Sequence, residues 1–363
     1  MTRWRTLPSV LSVATALLVC FGAVVLTRDL SSALDAYAAM VWGAFGDWPR
    51  FFAGADAGVL LRPLGEAGNK IALLTLTGLS VAVAFRVGLF NIGAQGQLMV
   101  GALAAASCGA GLHLPALVHL PLCLLAASVC GALYALIAAE LKRRRGVHEV
   151  ISTIMLNWIA VALIENWLVV GPLRASASGD NSASGTAEIA ASATLPLLLG
   201  ERSRLNLGLL LALALAVLLA VWLGRTRRGY EWRAVGLAPE AARAAGIDVG
   251  RSLLQAMAVS GALAGLAGAV LVLGTEHKYP TTLGAPYGFD GIAMALIGQG
   301  HPVGVLASAG LFGALRAGGT RMQLFGVHKS FPELIQGLAL LLVAGKLVWE
   351  RLLTRLFPKG VGA

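Results

Sequence analysis

Long stretches of this chain carry no Asp, Glu, Lys or Arg. Residues 6–27 form one such run, and residues 87–139 form another of 53. Runs at 205–224, 252–275 and 291–315 follow, with shorter apolar runs at 71–85, 150–164 and 334–345. A helix needs about 20 apolar residues to cross about 30 Å of hydrocarbon, so the longest run covers two crossings. Lipid cannot satisfy free backbone groups, so only helices or closed barrels span it. The alternating pattern of barrel strands is absent. The sequence therefore predicts an all-α polytopic membrane protein. Composition agrees: 57% of residues are hydrophobic and 13% charged, with a mean hydropathy of +0.78. Soluble domains carry about 25% charged residues. Too little polar surface remains for an ordinary cytosolic enzyme or a disordered chain.

About ten spans fit, near 8–27, 69–86, 92–111, 116–139, 148–170, 206–224, 253–273, 288–299, 303–320 and 332–349. The eighth and ninth are rich in Gly and interrupted by Pro302, a pattern that marks transport pathways. The first has the basic start of a signal peptide (Arg3, Arg5). Its small-residue site, Ala36-Tyr37-Ala38, lies well past the apolar core, so a retained helix is expected. The whole chain, 1–363, reads as one transmembrane domain. Within it lie an N-terminal span and outer segment (1–68), a first-half core (69–170), an outer loop (171–205), a cytoplasmic loop (225–252) and a second-half core (253–349). The outer segment carries Trp42, Trp48, Pro49, Phe51 and Phe52, which suit an interfacial stretch. Residues 175–185, rich in Ser, Ala and Gly, read as a mobile loop.

The net charge is +10. With a cytoplasmic N-terminus and ten spans, the inner side holds 17 Lys and Arg against 6 Asp and Glu, and the outer side 11 against 12. Lys and Arg excess in short inner loops orients a bundle, so the basic character is a topology signal, with both termini cytoplasmic. No basic soluble domain or aromatic platform offers itself to nucleic acid. The four cysteines, Cys20, Cys108, Cys123 and Cys130, fall inside expected spans and read as packing residues.

No catalytic or metal motif is present. His148-Glu149 lacks the second His of H-E-x-x-H. Gly345-Lys346 lacks the phosphate-loop glycine spacing. No G-x-S-x-G elbow occurs, and the six His show no ligand spacing. The cytoplasmic loop does carry a helix signal over 239–245. Pro239 suits the first helical position. Glu240 suits the first turn. Arg243 can pair with it, and Gly246 suits a left-handed cap.

Polar groups within spans are costly and face a cavity or a partner. Asn91 and Gln95, four apart, would share a face of a continuous helix; Gln97 would point away, and the glycines at 88, 93 and 96 could break that helix. Glu149, Thr153 and Asn157 form a stripe at i, i+4, i+8, suited to interhelical hydrogen bonds or to a pathway. Asn91, Gln95, Gln97 and Asn157 are the candidate pathway residues. Asp290 reads as a helix N-cap before Gly291. Gly261, Gly265 and Gly268 read as close-packing positions.

Residues 88–105, GLFNIGAQGQLMVGALAA, resemble the signature of ABC-importer permease subunits of the branched-chain amino acid, ribose and nucleoside group. HEVISTIMLNWIA (148–160), RAVGLAPEAARAAGI (233–247), YGFDGIAMALIGQGHPVG (287–304) and FGALRAGG (312–319) match in the same order, over most of 60–345. The form F-N-I-G-x-x-G-Q is closest to the nucleoside and simple-sugar permeases. The resemblance implies two weakly related helical halves and an inner-membrane location. It also implies partnership with a dimer of ATP-binding cassette subunits, a second permease (homologous or identical) and an extracytoplasmic substrate-binding protein. This chain would bind no cofactor, since ATP would be used by the partner subunit. Gly236, Pro239, Glu240, Ala241, Ala242, Arg243 and Gly246 match the family's coupling loop, with Ala242 expected at the docking face. Nucleosides are the first substrate expected, and ribose or galactose the alternative. An ion-coupled secondary transporter would need paired membrane acids; Glu165 is the deepest candidate. The missing motifs disfavour a membrane enzyme.

Overall fold

The computed structural model describes residues 3–175, 185–200, 202–283, 286–328 and 330–345. Among these, helices dominate, and the only extended pairings are two isolated bridges, Arg174 with Thr186 and Leu197 with Asn206. The order begins α1 (Arg3–Thr27), α2 (Leu30–Phe45), α3 (Trp48–Phe52), α4 (Gly58–Phe85), α5 (Ala94–Gly111) and α6 (Ala116–Arg145). Next comes α7 (Glu149–Ala160), which runs on as a π-helical stretch, Val161–Leu168. Then follow α8 (Gly208–Arg225), α9 (Arg227–Leu237), α10 (Pro239–Ala244) and α11 (Val249–Leu271), the last continued by a π-helical turn, Val272–Glu276. α12 (Tyr287–Ile297), α13 (Pro302–Met322) and α14 (Phe331–Ala344) complete the described chain.

Among the described residues, seven helical stretches are long and apolar enough to cross a bilayer: Val10–Thr27, Gly58–Phe85, Ala116–Arg145, Glu149–Leu168, Gly208–Arg225, Val249–Glu276 and Pro302–Phe325. The chain is a multi-pass helical membrane protein. The other three expected spans fall short by that standard. α12 and α14 are short, and α5 opens on Gln95 and Gln97 and is interrupted by glycines. The expected mobile segment lies mostly outside the described residues, as does the end of the last span, 346–349.

Residues 28–68, expected as an outer segment, are largely helical. Asp29 caps α2 by accepting from Ser32 N at 2.6 Å. Trp48, Phe51 and Phe52 cluster on α3, and Trp48 and Phe52 stay exposed, as an interfacial patch would. α4 then starts at Gly58, well before the expected 69. Arg62, Pro63 and Glu66 hide its first turns from a search for apolar runs. Pro63 lies inside the helix, past the four N–H groups that a first turn leaves unbonded, and the Val59 carbonyl it cannot reach accepts from Asp47 N at 3.1 Å instead.

Burial sorts the helices. The apolar windows of α4 and α11 are 83% and 78% buried, whereas those of α1, α6, α7 and α8 are about one-third buried. The outer helices keep leucine toward lipid; the two central ones are covered all round. Small residues make that possible. A Cβ on Gly265 would run into Ala127 O and the Gly131 Cα, and one on Gly101 into the Gly265 backbone. The three expected packing glycines on α11 thus let it lie directly against α5 and α6. Gly265→Val should cost at least the 1–3 kcal/mol typical of overpacking (about that range), read as a lower yield and thermal midpoint in detergent.

Candidate functional site

Two constellations carry the chemistry of the chain: an exposed helical tip at α9–α10 and a buried amide network around residues 86–97. The tip begins where Thr226 caps α9 by accepting from Gly229 N at 3.0 Å. Trp232 anchors α9, fully buried and edge-on to Trp222 at 4.7 Å. Pro239 opens α10 as expected, and Arg243 pairs with Glu240 at 3.1 Å on the solvent side. Gly246 takes φ +80. Its N–H donates to Arg243 O and that of Ile247 to Ala242 O, both at 3.0 Å, which closes the helix in the left-handed manner.

Two of the expected tip residues do other work. Ala242 is 4% exposed and packs into the chain's own core. It does not face outward, because a two-turn helix resting on the bundle must turn one Ala inward. Gly236 leans on the loop before the signature: a Cβ there would meet Arg86 O, and lies 3.2 Å from Gly88 N. The exposed face is Pro239, Glu240, Ala241 and Arg243, joined by Leu237, which is 87% exposed. The sequence reading missed Leu237; it is the last residue of α9, and the break at Ala238 turns it outward.

Arg86 also reaches the other glycine-rich segment. Its Nε donates to Gly300 O at 3.1 Å, in the turn between α12 and α13. Gln299 and Gly300 both take positive φ there, +54 and +63. Beside it, burial and the Arg86 guanidinium hold the His301 imidazole below its ordinary pKa.

Asn91, Gln95, Gln97 and Asn157 are all buried, but no continuous helix carries the first three. α5 starts at Ala94, leaving Asn91 in the preceding turn. The break lets Asn91 and Gln97 face one another. Asn91 Nδ2 donates to Gln97 Oε1 at 2.9 Å and to Ser260 Oγ at 2.8 Å, and Gln97 Nε2 donates back to Asn91 Oδ1 at 3.1 Å. Asn91 Oδ1 also accepts from Gly93 N at 3.0 Å. Asn157 clamps the same break: its Oδ1 accepts from Gly96 N at 2.8 Å and its Nδ2 donates to Ile92 O at 2.9 Å. Gln95 Oε1 accepts from Gly288 N at 2.8 Å, tying α5 to α12.

The stripe on α7 therefore faces the signature. Glu149 pairs with Lys142 at 2.5 Å and accepts from Phe90 N at 3.4 Å. Thr153 Oγ1 donates back to Glu149 O at 2.7 Å. The side-chain bonds to Phe90 N, Gly93 N, Gly96 N and Ile92 O replace backbone pairing lost at the break. Asn157→Leu strands Gly96 N and Ile92 O in a dry interior, each costing about 1–3 kcal/mol. A marked fall in thermal midpoint is expected, and an unchanged midpoint would mean that the two backbone groups find other partners.

Asp290 is not an N-cap. α12 begins at Tyr287, and Asp290 sits inside its first turn, paired with Arg316 of α13 at 2.5 Å. Gln336 Nε2 of α14 donates to its other oxygen at 2.9 Å. Glu165 accepts from Leu283 N at 2.8 Å. Cys108, His119 and Cys123 bring three donor atoms within 4.8 Å of one another. The imidazole is already engaged on both sides, with Ser192 Oγ at 2.8 Å and Cys108 O at 3.2 Å, so the trio reads as a brace between α5, α6 and residues 191–193.

Residues 66–344 match the family described as branched-chain amino acid transport system / permease component. The chain is 36% identical over 344 residues to a guanosine ABC transporter permease protein of Bacillus subtilis, covering 93% of each. It is 34% identical to a nucleoside ABC transporter permease protein of Lactococcus lactis, over 81% of this chain and 82% of the relative. A glucose ABC transporter permease protein of Haloferax volcanii is 34% identical, over 77% and 75%. No solved structure matches the chain. A profile match across most of the length, with relatives aligned nearly end to end, makes this chain a member of the branched-chain amino acid transport system permease family.

Proposed function

We propose that this chain is the translocating subunit of an ATP-driven importer of nucleosides. The observation that carries the reading is the near end-to-end likeness to the guanosine permease, 36% over 93% of both chains. The exposed α9–α10 tip supports it as the place where an ATP-binding cassette subunit docks, one on each of two permease chains. An extracytoplasmic binding protein would deliver the solute. Ten crossings, with α5 and α12 largely covered by their neighbours and α14 at the rim, and both termini inside, fit the inner excess of Lys and Arg. ATP is hydrolysed on the partner. Asn91, Gln95, Gln97 and Asn157 serve the pathway by holding the helix break at 86–93 in shape between α7, α11 and α12.

A simple sugar is the second reading, favoured by the likeness to the glucose permease. Reconstitution with the ATP-binding and solute-binding partners separates them. ATP-dependent accumulation of labelled guanosine or uridine is expected. Accumulation of ribose or glucose alone overturns the substrate, and nucleoside uptake without ATP overturns the importer.

A further inference from the structure

A cavity of about 290 Å³, lined by both charged and apolar side chains, opens at the end of the bundle opposite the α9–α10 tip. Its walls include Glu66, Asn69 and Lys70 from the early turns of α4, Arg204 before α8, Glu276 and Tyr287. The π-helical turn at Val272–Glu276 brings Glu276 to the wall. Such turns recur at functional sites because they re-aim side chains at a cost in regular bonding. Neighbouring contacts hold the walls in place. Asn69 Nδ2 donates to Arg204 O at 2.6 Å and Lys70 Nζ to Arg316 O at 3.0 Å. The Arg316 guanidinium stands over the Tyr287 ring, 5.9 Å from its centre, and Arg316 is itself fixed by Asp290. Tyr287 is therefore a pre-set aromatic wall.

The chemistry selects a class of solute. The lining includes two carboxylates and two cations, so its formal charges cancel and it favours a neutral guest. Vicinal hydroxyls donate well to carboxylates, and ring nitrogens and carbonyls accept from Arg and Lys. A flat heterocycle packs on tyrosine. The volume is at the small end of ligand pockets, which begin at about 300 Å³. We propose that this cavity takes up one nucleoside from the extracytoplasmic side before it crosses. The proposal rests on the nucleoside reading above, and adds a place for the solute inside a single chain.

Thr282 lies on the cavity wall and is exposed, so Thr282→Cys places a reporter thiol at the mouth. The complete transporter in proteoliposomes is treated with a membrane-impermeant thiosulfonate, and labelling of residue 282 is followed by peptide mass. Guanosine at about four times its dissociation constant gives roughly 80% occupancy by mass action, which should slow labelling about five-fold. Ribose at the same concentration should leave the rate nearly unchanged. Tyr287→Leu should remove the guanosine effect and Tyr287→Phe should keep it. Equal rates with and without guanosine overturn the proposal, as does equal protection by ribose. Guanosine uptake driven by ATP is measured on the same vesicles. Uptake without protection rejects the cavity alone; protection without ATP-driven uptake supports the cavity and rejects the importer reading.

Discussion

Leu237→Asp is expected to lower ATP-driven uptake by more than ten-fold while leaving yield and thermal midpoint unchanged. The side chain is 87% exposed at the end of α9, beside the ion-paired Glu240 and Arg243. A leucine held out into water gains about 1.5–3 kcal/mol when a partner covers it. Replacing it by a carboxylate loses that gain and adds the penalty of an unpaired charge in the contact. Together these exceed the 1.4 kcal/mol that makes a ten-fold change in an equilibrium (about that value at room temperature). The fold itself loses little, because surface positions without packing partners tolerate substitution. Ala242→Asp makes the contrast: it forces a charge into the chain's own core and should fail at the level of folded protein. Uptake and stimulated ATPase are measured beside detergent melting curves. Full activity in Leu237→Asp rejects the α9–α10 tip as the docking face.

Arg316→Leu should be among the most destabilising single changes in α12–α14. The Asp290–Arg316 pair joins α12 to α13 with both side chains about one-tenth exposed, and Gln336 and Glu333 of α14 add to it. Removing one partner of a buried pair costs about 3–5 kcal/mol, because the other charge stays behind without compensation. Replacing both with apolar residues of similar volume removes that charge as well. Arg316→Leu and Asp290→Leu are each expected to lower the melting temperature sharply, and the double variant to recover a large part of the loss. A double variant as unstable as the sum of the singles would mean that the two residues act separately.

The parts legible in the sequence are those set by short-range chemistry. Charge-free runs mark most spans. Pro239, Glu240, Arg243 and Gly246 spell out α10 and its ends, because capping and i, i+3 pairing need only neighbours. Gly261, Gly265 and Gly268 announce a face of close approach. The misses are long-range. Asp290 looks like a cap until Arg316, 26 residues on, is brought beside it. The inward turn of Ala242 depends on how the loop rests on the bundle. Asn91 and Gln97 meet only because α5 starts after Gly93, and Ser260, which accepts from Asn91, lies 169 residues away. The first turns of α4 escape notice because three polar or rigid residues interrupt an otherwise apolar pattern.

The lack of a side chain at Gly236 lets distant parts of the chain meet at one residue. Gly236 rests on the Arg86 carbonyl with no room for even one carbon, and Arg86 grips Gly300 through its guanidinium. One residue thus meets α9 through its carbonyl and the α12–α13 turn through its guanidinium, so a single substitution at Arg86 would loosen two contacts at once.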